Sequence, residues 1–208
     1  MENAAKALEI AGGVLFSLII LGALVMGYNR LAELKKTEYK ASEESQAADF
    51  NKDYEAYNTS SVYGSEVFSL ANKVADYNNR YTEEDGYLPI TLNVKFKKDY
   101  DSFFQKNVNY DASTLTQKHE QLANKIKTDG SKKVTTSAGV TKTVQEWAKV
   151  SNATLRQHFN TSSSEYTKIT DYKQLTTTQN DIARTTFKCT GFDYDTNGKI
   201  KKMSFEEN

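Results

Sequence analysis

Cysteine, proline and histidine are almost absent from this sequence of 208 residues. The one cysteine, Cys189, has no partner for an intramolecular disulfide, and thiolate zinc sites and Cys-x-x-Cys redox chemistry are excluded with it. Two histidines, His119 and His158, are too few for a three-histidine metal site. The 27 basic and 27 acidic side chains leave no net charge, which argues against a general nucleic-acid coat, a class that is usually strongly basic. Packing must therefore stabilise this fold.

Two partial motifs fail at the residues that matter for chemistry. Residues 193–200 match the first eight positions of an EF-hand loop, but Ser204 stands where the bidentate glutamate is required. These residues predict a hairpin turn without calcium. His119 and Glu120 open a zincin motif, but Ala123 occupies the place of the second histidine. The sequence therefore predicts no enzyme, no metal and no cofactor, and it identifies no small-molecule substrate.

One long apolar run interrupts this polar composition. Residues 10–29 contain no charged side chain and lie between Glu9 and Arg30. As a helix, twenty residues span about 30 Å, the thickness of the hydrocarbon core of a bilayer. The run is longer than the hydrophobic region of a typical signal peptide, and no A-x-A cleavage site follows it. We predict an uncleaved membrane-spanning or filament-core helix.

The orientation of this helix is left open by two opposing signals. Only Lys6 precedes the run, whereas four basic residues follow it closely: Arg30, Lys35, Lys36 and Lys40. By the positive-inside rule, this favours a cytoplasmic C-terminal part. The remainder is rich in Thr, Ser, Asn and Tyr and carries N-x-S/T sequons at Asn58, Asn152 and Asn160, which favours the cell exterior.

The helix is predicted to continue well beyond the apolar run. Neither glycine nor proline occurs between Tyr28 and Tyr63, and Ala, Leu, Glu and Lys dominate residues 29–46. We predict two domains: a long N-terminal helix at 1–58, with 10–29 as its membrane or core segment, and a head at 59–208. The fold class is α+β, with helices and an antiparallel β-sheet in the head.

Several elements of the head can be placed from local patterns. A helix is predicted over Ser65–Asn79, capped by Ser65, and alternating apolar residues predict a strand over 90–96. Asn197-Gly198 predicts the turn of a terminal hairpin. Weaker patterns predict helices over 114–127 and 144–159, a hairpin at 131–143 that turns at 137–139, and a loop at 161–164.

A charge-poor N-terminal helix that becomes amphipathic and leads into a small head ending in antiparallel strands resembles type IV pilins and pseudopilins. Pilins carry a short leader cut after glycine, then an aromatic residue and a glutamate at the fifth mature position. Here Val14 follows Gly12-Gly13, and Glu9 is the nearest equivalent of that glutamate. The first and last segments are also similar to bacterial membrane-anchored proteins with no assigned activity.

The resemblance implies a homo-oligomeric structural subunit of a surface filament, assembled through the N-terminal helix. Glu9 would pair with a neighbour's terminal amine or with Lys6, and small residues would allow close helix approach. The candidate assembly residues are Glu2, Lys6, Glu9, Gly12, Gly13, Gly22 and Ala23. The alternative is a monomeric, single-pass membrane-anchored module that binds nucleic acid or a cell-envelope polymer. Either reading predicts a membrane-anchored protein, at the cell surface or in an extracellular filament.

Lysines cluster on or beside the predicted strands of the head. Exposed lysines commonly protect sheet edges from aggregation, but together with nearby aromatics they also suit weak binding of a polyanion. The candidate contact residues are Lys95, Lys97, Lys98, Lys132, Lys133, Lys199, Lys201 and Lys202.

Overall fold

The computed structural model describes residues 2–81 and 87–208. The chain divides into two compact units, Met1–Asp49 and Phe50–Asn208. The first unit is part of a single helix, α1, which runs over Glu2–Glu55. The second unit starts with the last turn of α1 and contains every other element.

The second unit contains seven strands and five further helices in its described residues. In chain order they are β1 Val62–Tyr63, α2 Gly64–Arg80, β2 Thr91–Lys95, β3 Asn109–Tyr110, α3 Ala112–Ser131, β4 Lys133–Thr135, β5 Thr141–Thr143, α4 Val144–Ala148, α5 Asn152–His158, α6 Ser164–Arg184, β6 Thr186–Tyr194 and β7 Ile200–Glu207. The predicted α+β class, with a long N-terminal apolar helix followed by a small head, is confirmed. This layout is compatible with that of a pilin.

Five strands form the main sheet in the order β1-β6-β7-β2-β3. The sheet is mostly antiparallel, as predicted, but β2 and β7 run parallel. Helices α2 and α3 pack against β2 on one face. The alternation predicted for β2 is confirmed: Leu92 and Val94 are buried in the core, whereas Thr91 is exposed on the opposite face.

The terminal hairpin forms where the sequence predicts it. Gly198 adopts φ +80°, and the amide of Gly198 donates to the carbonyl of Asp195 over 3.1 Å. The carboxylate of Asp195 accepts hydrogen bonds from the amides of Asn197 and Lys199, at 2.8 and 2.9 Å. The carboxylate that an EF-hand would use for calcium therefore holds the turn together.

Helix α2 differs from its prediction at both ends. It begins one residue early, so the N-cap is Tyr63 rather than Ser65, and the Glu66 carboxylate accepts from the Tyr63 amide over 2.8 Å. It also runs past Asn78 to Arg80. The Asn78 side chain does not cap the end of the helix, because it binds the backbone of Ile90 instead. Its Nδ2 donates to the Ile90 carbonyl and its Oδ1 accepts from the Ile90 backbone N–H, each over 2.9 Å.

Other local predictions are confirmed in part. The helix predicted over 114–127 is longer, because Asp111 caps it at the Thr114 amide over 2.7 Å. The hairpin turning at Gly139 forms as β4 and β5. The prediction of a single helix over 144–159 is wrong. Two short helices, α4 and α5, occupy this range, because the Ser151 side chain caps a new helix by accepting from the Thr154 amide.

Two hydrophobic clusters stabilise the head. The larger lies between the main sheet and α2, α3 and α6, and includes Phe96, Phe104, Phe187 and Phe205. The smaller gathers Val134 of β4 with residues of α4 to α6 around Trp147. A buried carboxylate, that of Glu207, lies at the end of β7. It accepts from the amides of Lys97 and Lys98, at 2.7 and 3.3 Å, and from the Tyr100 hydroxyl at 2.7 Å.

Candidate functional site

The apolar part of α1 is exposed on all sides. Ile20 is the least exposed of its large apolar side chains and still has 45% of its surface exposed. Among the residues that the structure describes, α1 is the one helix long and apolar enough to cross a membrane. An N-terminal signal sequence passes the same test of length and composition. The exposed run would need lipid or other protein chains to cover it in water.

Five of the seven predicted assembly residues lie on two opposite faces of this helix, whereas Gly12 and Ala23 lie on one side between them. Spacings of four, three and four residues place Glu2, Lys6, Glu9 and Gly13 along one face, and Gly22 lies about 180° from Gly13. The ion pair of Lys6 is with Glu2, at 3.1 Å, and not with Glu9. A helix surrounded by neighbouring copies would need contact surfaces on opposite faces.

Space for close helix approach exists at the glycines. Apart from the adjacent residues and the nearby backbone of α1 itself, no atom of the described chain lies within 4 Å of where a Cβ would stand on Gly12, Gly13, Gly22 or Gly27. Ser17 donates its hydroxyl hydrogen to the carbonyl of Gly13 over 2.9 Å, so its polar group is satisfied within the helix. Ala23 is exposed beside Gly22.

The candidate polyanion lysines lie on several separate elements. Three belong to ion pairs of the described chain: Lys95 with Glu206 at 3.8 Å, Lys132 with Asp129 at 2.7 Å, and Lys202 with Asp193 at 3.9 Å. On the outer face of the sheet, Glu206 also pairs with Lys188 at 3.9 Å. Local pairing therefore offsets part of the positive charge. The amide of Lys97 binds Glu207, the ammonium of Lys98 lies 4.5 Å from the centre of the Tyr100 ring, and Lys133 begins β4.

Lys199 and Lys201 line a groove that sequence patterns did not indicate. Three aromatic rings line it, those of Phe50, Tyr77 and Tyr87, and the centroids of Phe50 and Tyr77 are 5.4 Å apart. The ring of Tyr81 lies outside the lining and contacts both tyrosines, with centroids 5.0 Å from Tyr77 and 4.6 Å from Tyr87. The groove holds about 270 Å³ and also exposes Leu88, Asp195 and Asn197. Burial, then the neighbouring tyrosines and Asp195, raise the pKa of Tyr77 above its usual 10.0. Aromatic rings beside lysines and amides can stack on and hydrogen-bond a polar polymer.

His119 is a packed side chain of α3. Its ring stacks on that of Phe68 with centroids 4.2 Å apart and planes at 12°. Burial lowers the pKa of His119 below its usual 6.5 by more than the neighbouring Glu120 raises it. Among residues 2–81 and 87–208, no group of three His, Cys, Asp or Glu side chains is arranged to hold a metal ion.

We expect His119 to make the head less stable in mild acid. The pKa is lower in the folded state, so protonation favours unfolding, and stability is lost as the pH falls from about 6.5 through the folded pKa. Between pH 7 and 5, the melting temperature of the full chain in detergent should fall more than that of His119→Gln. His158→Gln, at an exposed position, should behave like the wild type. Equal losses in wild type and His119→Gln would contradict this.

No family model, curated protein or solved structure matches this chain.

Proposed function

We propose that this protein is a pilin-like structural subunit of a surface filament, assembled through the apolar part of α1. The observation that carries the proposal is the continuity of α1: its apolar run has exposed side chains on every face, and the same helix continues without interruption to Glu55. The run requires an apolar environment. The helix that continues beyond it is a stiff extension of the run rather than a flexible linker.

The free energy gained by burying the apolar run of α1 is large. Burying one Leu, Ile, Val or Phe side chain is worth about 1.5–3 kcal/mol, and the run carries ten exposed side chains of these four types. They are Ile10, Val14, Leu15, Phe16, Leu18, Ile19, Ile20, Leu21, Leu24 and Val25. Lipid meets this requirement before assembly, and neighbouring helices can meet it in a filament.

A simple anchor would not need the second half of α1. About twenty apolar residues are enough to cross a bilayer, and a flexible linker would serve to attach a head. The further helical turns that follow Arg30 form a stiff extension of the apolar run, which a filament subunit can use to pack along its neighbours. Opposite faces with glycine at Gly13 and Gly22 favour contact with more than one neighbour.

The test compares Glu9→Gln and Gly22→Leu with wild type by negative-stain microscopy of shed surface material. Both variants should yield at least about tenfold fewer filaments, because one loses a partner for a buried cation and the other fills a close helix contact. Membrane insertion should be unchanged in both.

Leu21→Met keeps the side-chain volume and is the matched control. A chain that lacks residues 1–29 should no longer sediment with the membrane fraction. Absence of filaments and ordered oligomers from wild type would overturn the proposal.

The groove beside Lys199 and Lys201 favours a second candidate function, a monomeric anchored module that binds nucleic acid or a cell-envelope polymer. Its support is the combination of aromatic side chains, of which Tyr87 is 41% exposed, with polar groups on the β6–β7 turn. The two candidate functions predict particles of different size after extraction in detergent. Extracted protein that migrates as a small micelle favours the module, whereas polymers that survive mild detergent favour the filament.

A further inference from the structure

The part of α1 that follows the apolar run carries a heptad seam. Its a and d positions are Leu31, Leu34, Glu38, Ala41, Ser45 and Ala48, spaced by three and four residues in alternation. All six are exposed on the described helix. Five of the six are apolar or small, which is the pattern of a helix surface that packs along a second helix.

The charges that flank this seam have opposite signs at its two ends. Arg30 at a g position and Lys35 at an e position lie nearer the apolar run. Glu44 at g and Asp49 at e lie nearer the head. Thr37 and Ser42 occupy the flanking positions between them. Flanking charges set the register of a coiled coil, because each g residue approaches the e residue five positions along on the partner.

In-register pairing of two parallel copies is unfavourable at both ends. Arg30 would face Lys35 of the other copy, and Glu44 would face Asp49. Glu38 would also face its own counterpart in the seam. Copies anchored in one bilayer by residues 10–29 run parallel and in register, so the seam opposes their association there.

A displacement of two heptads reverses both interactions. Fourteen positions separate Arg30 from Glu44, and the same number separates Lys35 from Asp49. The displaced copies therefore pair Arg30 with Asp49 on one side of the seam and Lys35 with Glu44 on the other. A displacement of one heptad gains nothing, because Arg30 then meets Ser42 and Lys35 meets Thr37.

Side-chain sizes agree with the same displacement. Leu31 meets Ser45, and Leu34 meets Ala48, so that a large residue lies against a small one in both layers. Glu38 meets Leu24 of one neighbour, a contact that does not match, and Lys52 of the other neighbour, which has the opposite charge. The Lys40–Glu44 pair within the helix is 4.0 Å long with both side chains largely exposed, and a weak pair of this kind does not prevent Glu44 from binding Lys35 of a neighbour.

We propose that this seam binds a second copy of the same chain, parallel and displaced by two heptads, about 21 Å along the helix. The inference rests on the proposed filament and names its helix contact. The contact is heterologous, because the part of the seam nearer the apolar run in one copy meets the part nearer the head in the next copy. Such contacts propagate into open filaments rather than closed dimers. The charges thus disfavour pairing in the bilayer and favour it once one copy has moved out of the membrane plane.

Cysteine cross-linking in the native host measures the register directly. In a Cys189→Ser background, differently tagged full-length chains carrying Leu31→Cys and Ser45→Cys are co-expressed and mildly oxidised. The proposal expects links between Cys at 31 and Cys at 45 to exceed links between identical positions by at least about tenfold, since a disulfide needs the two Cα atoms within about 7 Å. Dominant 31–31 and 45–45 links would overturn the displacement while leaving self-assembly intact. No link at any position would overturn the filament as well.

Charge variants provide the matched control. Arg30→Glu with Lys35→Glu should lower the cross-linked yield about tenfold, and addition of Glu44→Lys with Asp49→Lys should restore it. Lys36→Glu with Lys40→Glu makes the same charge change at positions away from the seam and should leave the yield unchanged. Because both double variants remove two positive charges beside the apolar run, an effect through membrane topology would lower both. That result, or failure of the fourfold variant to recover, would overturn the proposal.

Discussion

Replacing Glu207 with alanine is expected to lower the free energy of unfolding of the head by about 3–5 kcal/mol. The Glu207 carboxylate is 5% exposed and accepts three hydrogen bonds, from the amides of Lys97 and Lys98 and from the Tyr100 hydroxyl. Alanine would leave the amides of Lys97 and Lys98 without this acceptor and would leave the Tyr100 hydroxyl with the Thr185 hydroxyl, 2.7 Å away, as its remaining partner. Burial also raises the pKa of Tyr100, so its hydroxyl keeps its hydrogen and continues to need an acceptor.

The adjacent Glu206 is the control for this experiment. It lies on the opposite face of β7 and forms ion pairs with Lys95 and Lys188 at 3.8 and 3.9 Å. Glu206→Ala should cost no more than about 1 kcal/mol, because partly exposed ion pairs contribute little. Urea unfolding of the full chain in detergent, followed through Trp147 fluorescence, gives both values. Similar midpoints for the two variants would contradict the assigned role of Glu207.

Gly64→Ala should destabilise the head by about 3 kcal/mol or more. An added Cβ would overlap the carbonyl oxygen of Ile182, at the end of α6, and lie 3.0 Å from its carbonyl carbon. Backbone atoms cannot rotate out of the way as a side chain can. The amide of Gly64 also donates to the Thr185 carbonyl over 2.7 Å, which fixes the start of α2 in place.

Two other glycines calibrate this effect. A Cβ on Gly130 would meet the ring of Tyr172 at 2.7 Å, and that ring can shift at some cost. A Cβ on Gly191 would have no atom of the described chain within 4 Å other than those of its two neighbours in sequence. The expected order of destabilisation in thermal melts is therefore Gly64→Ala, then Gly130→Ala, then Gly191→Ala. A Gly64→Ala protein as stable as Gly191→Ala would show that α2 and α6 are less closely packed than described.

Local patterns predicted those parts of the fold that local physics determines. Alternation in β2 and the Asn197-Gly198 turn each report a preference of the backbone itself, and both are confirmed. Helix α6 was not predicted, because its many threonines favour neither a helix nor an apolar face by composition. The parallel pairing of β2 with β7 joins segments about 110 residues apart, which no local pattern encodes.

The candidate site likewise has a part that the sequence predicted and parts that only the fold shows. The apolar run of α1 is contiguous and was found from the sequence. The groove brings together Phe50, the pair Tyr77 and Tyr87, and Lys199 from three segments that are distant in sequence, so only the fold makes it visible. Glu207 and its neighbour Glu206 are the same residue type in succession. Their burial differs because the strand directs one into the core and the other to the outer face of the sheet.

The position of β7 constrains the order of events during synthesis. It lies between β6 and β2 within the sheet, although it is the last strand along the described chain. At roughly 5–20 residues per second, about 9 to 36 seconds separate completion of the apolar run from completion of this strand. During that interval the head lacks a central strand and the apolar helix is already accessible to targeting factors. If the apolar run enters a membrane during synthesis, it therefore does so while the head is still unfolded, which is the state that passage through a translocation channel would require.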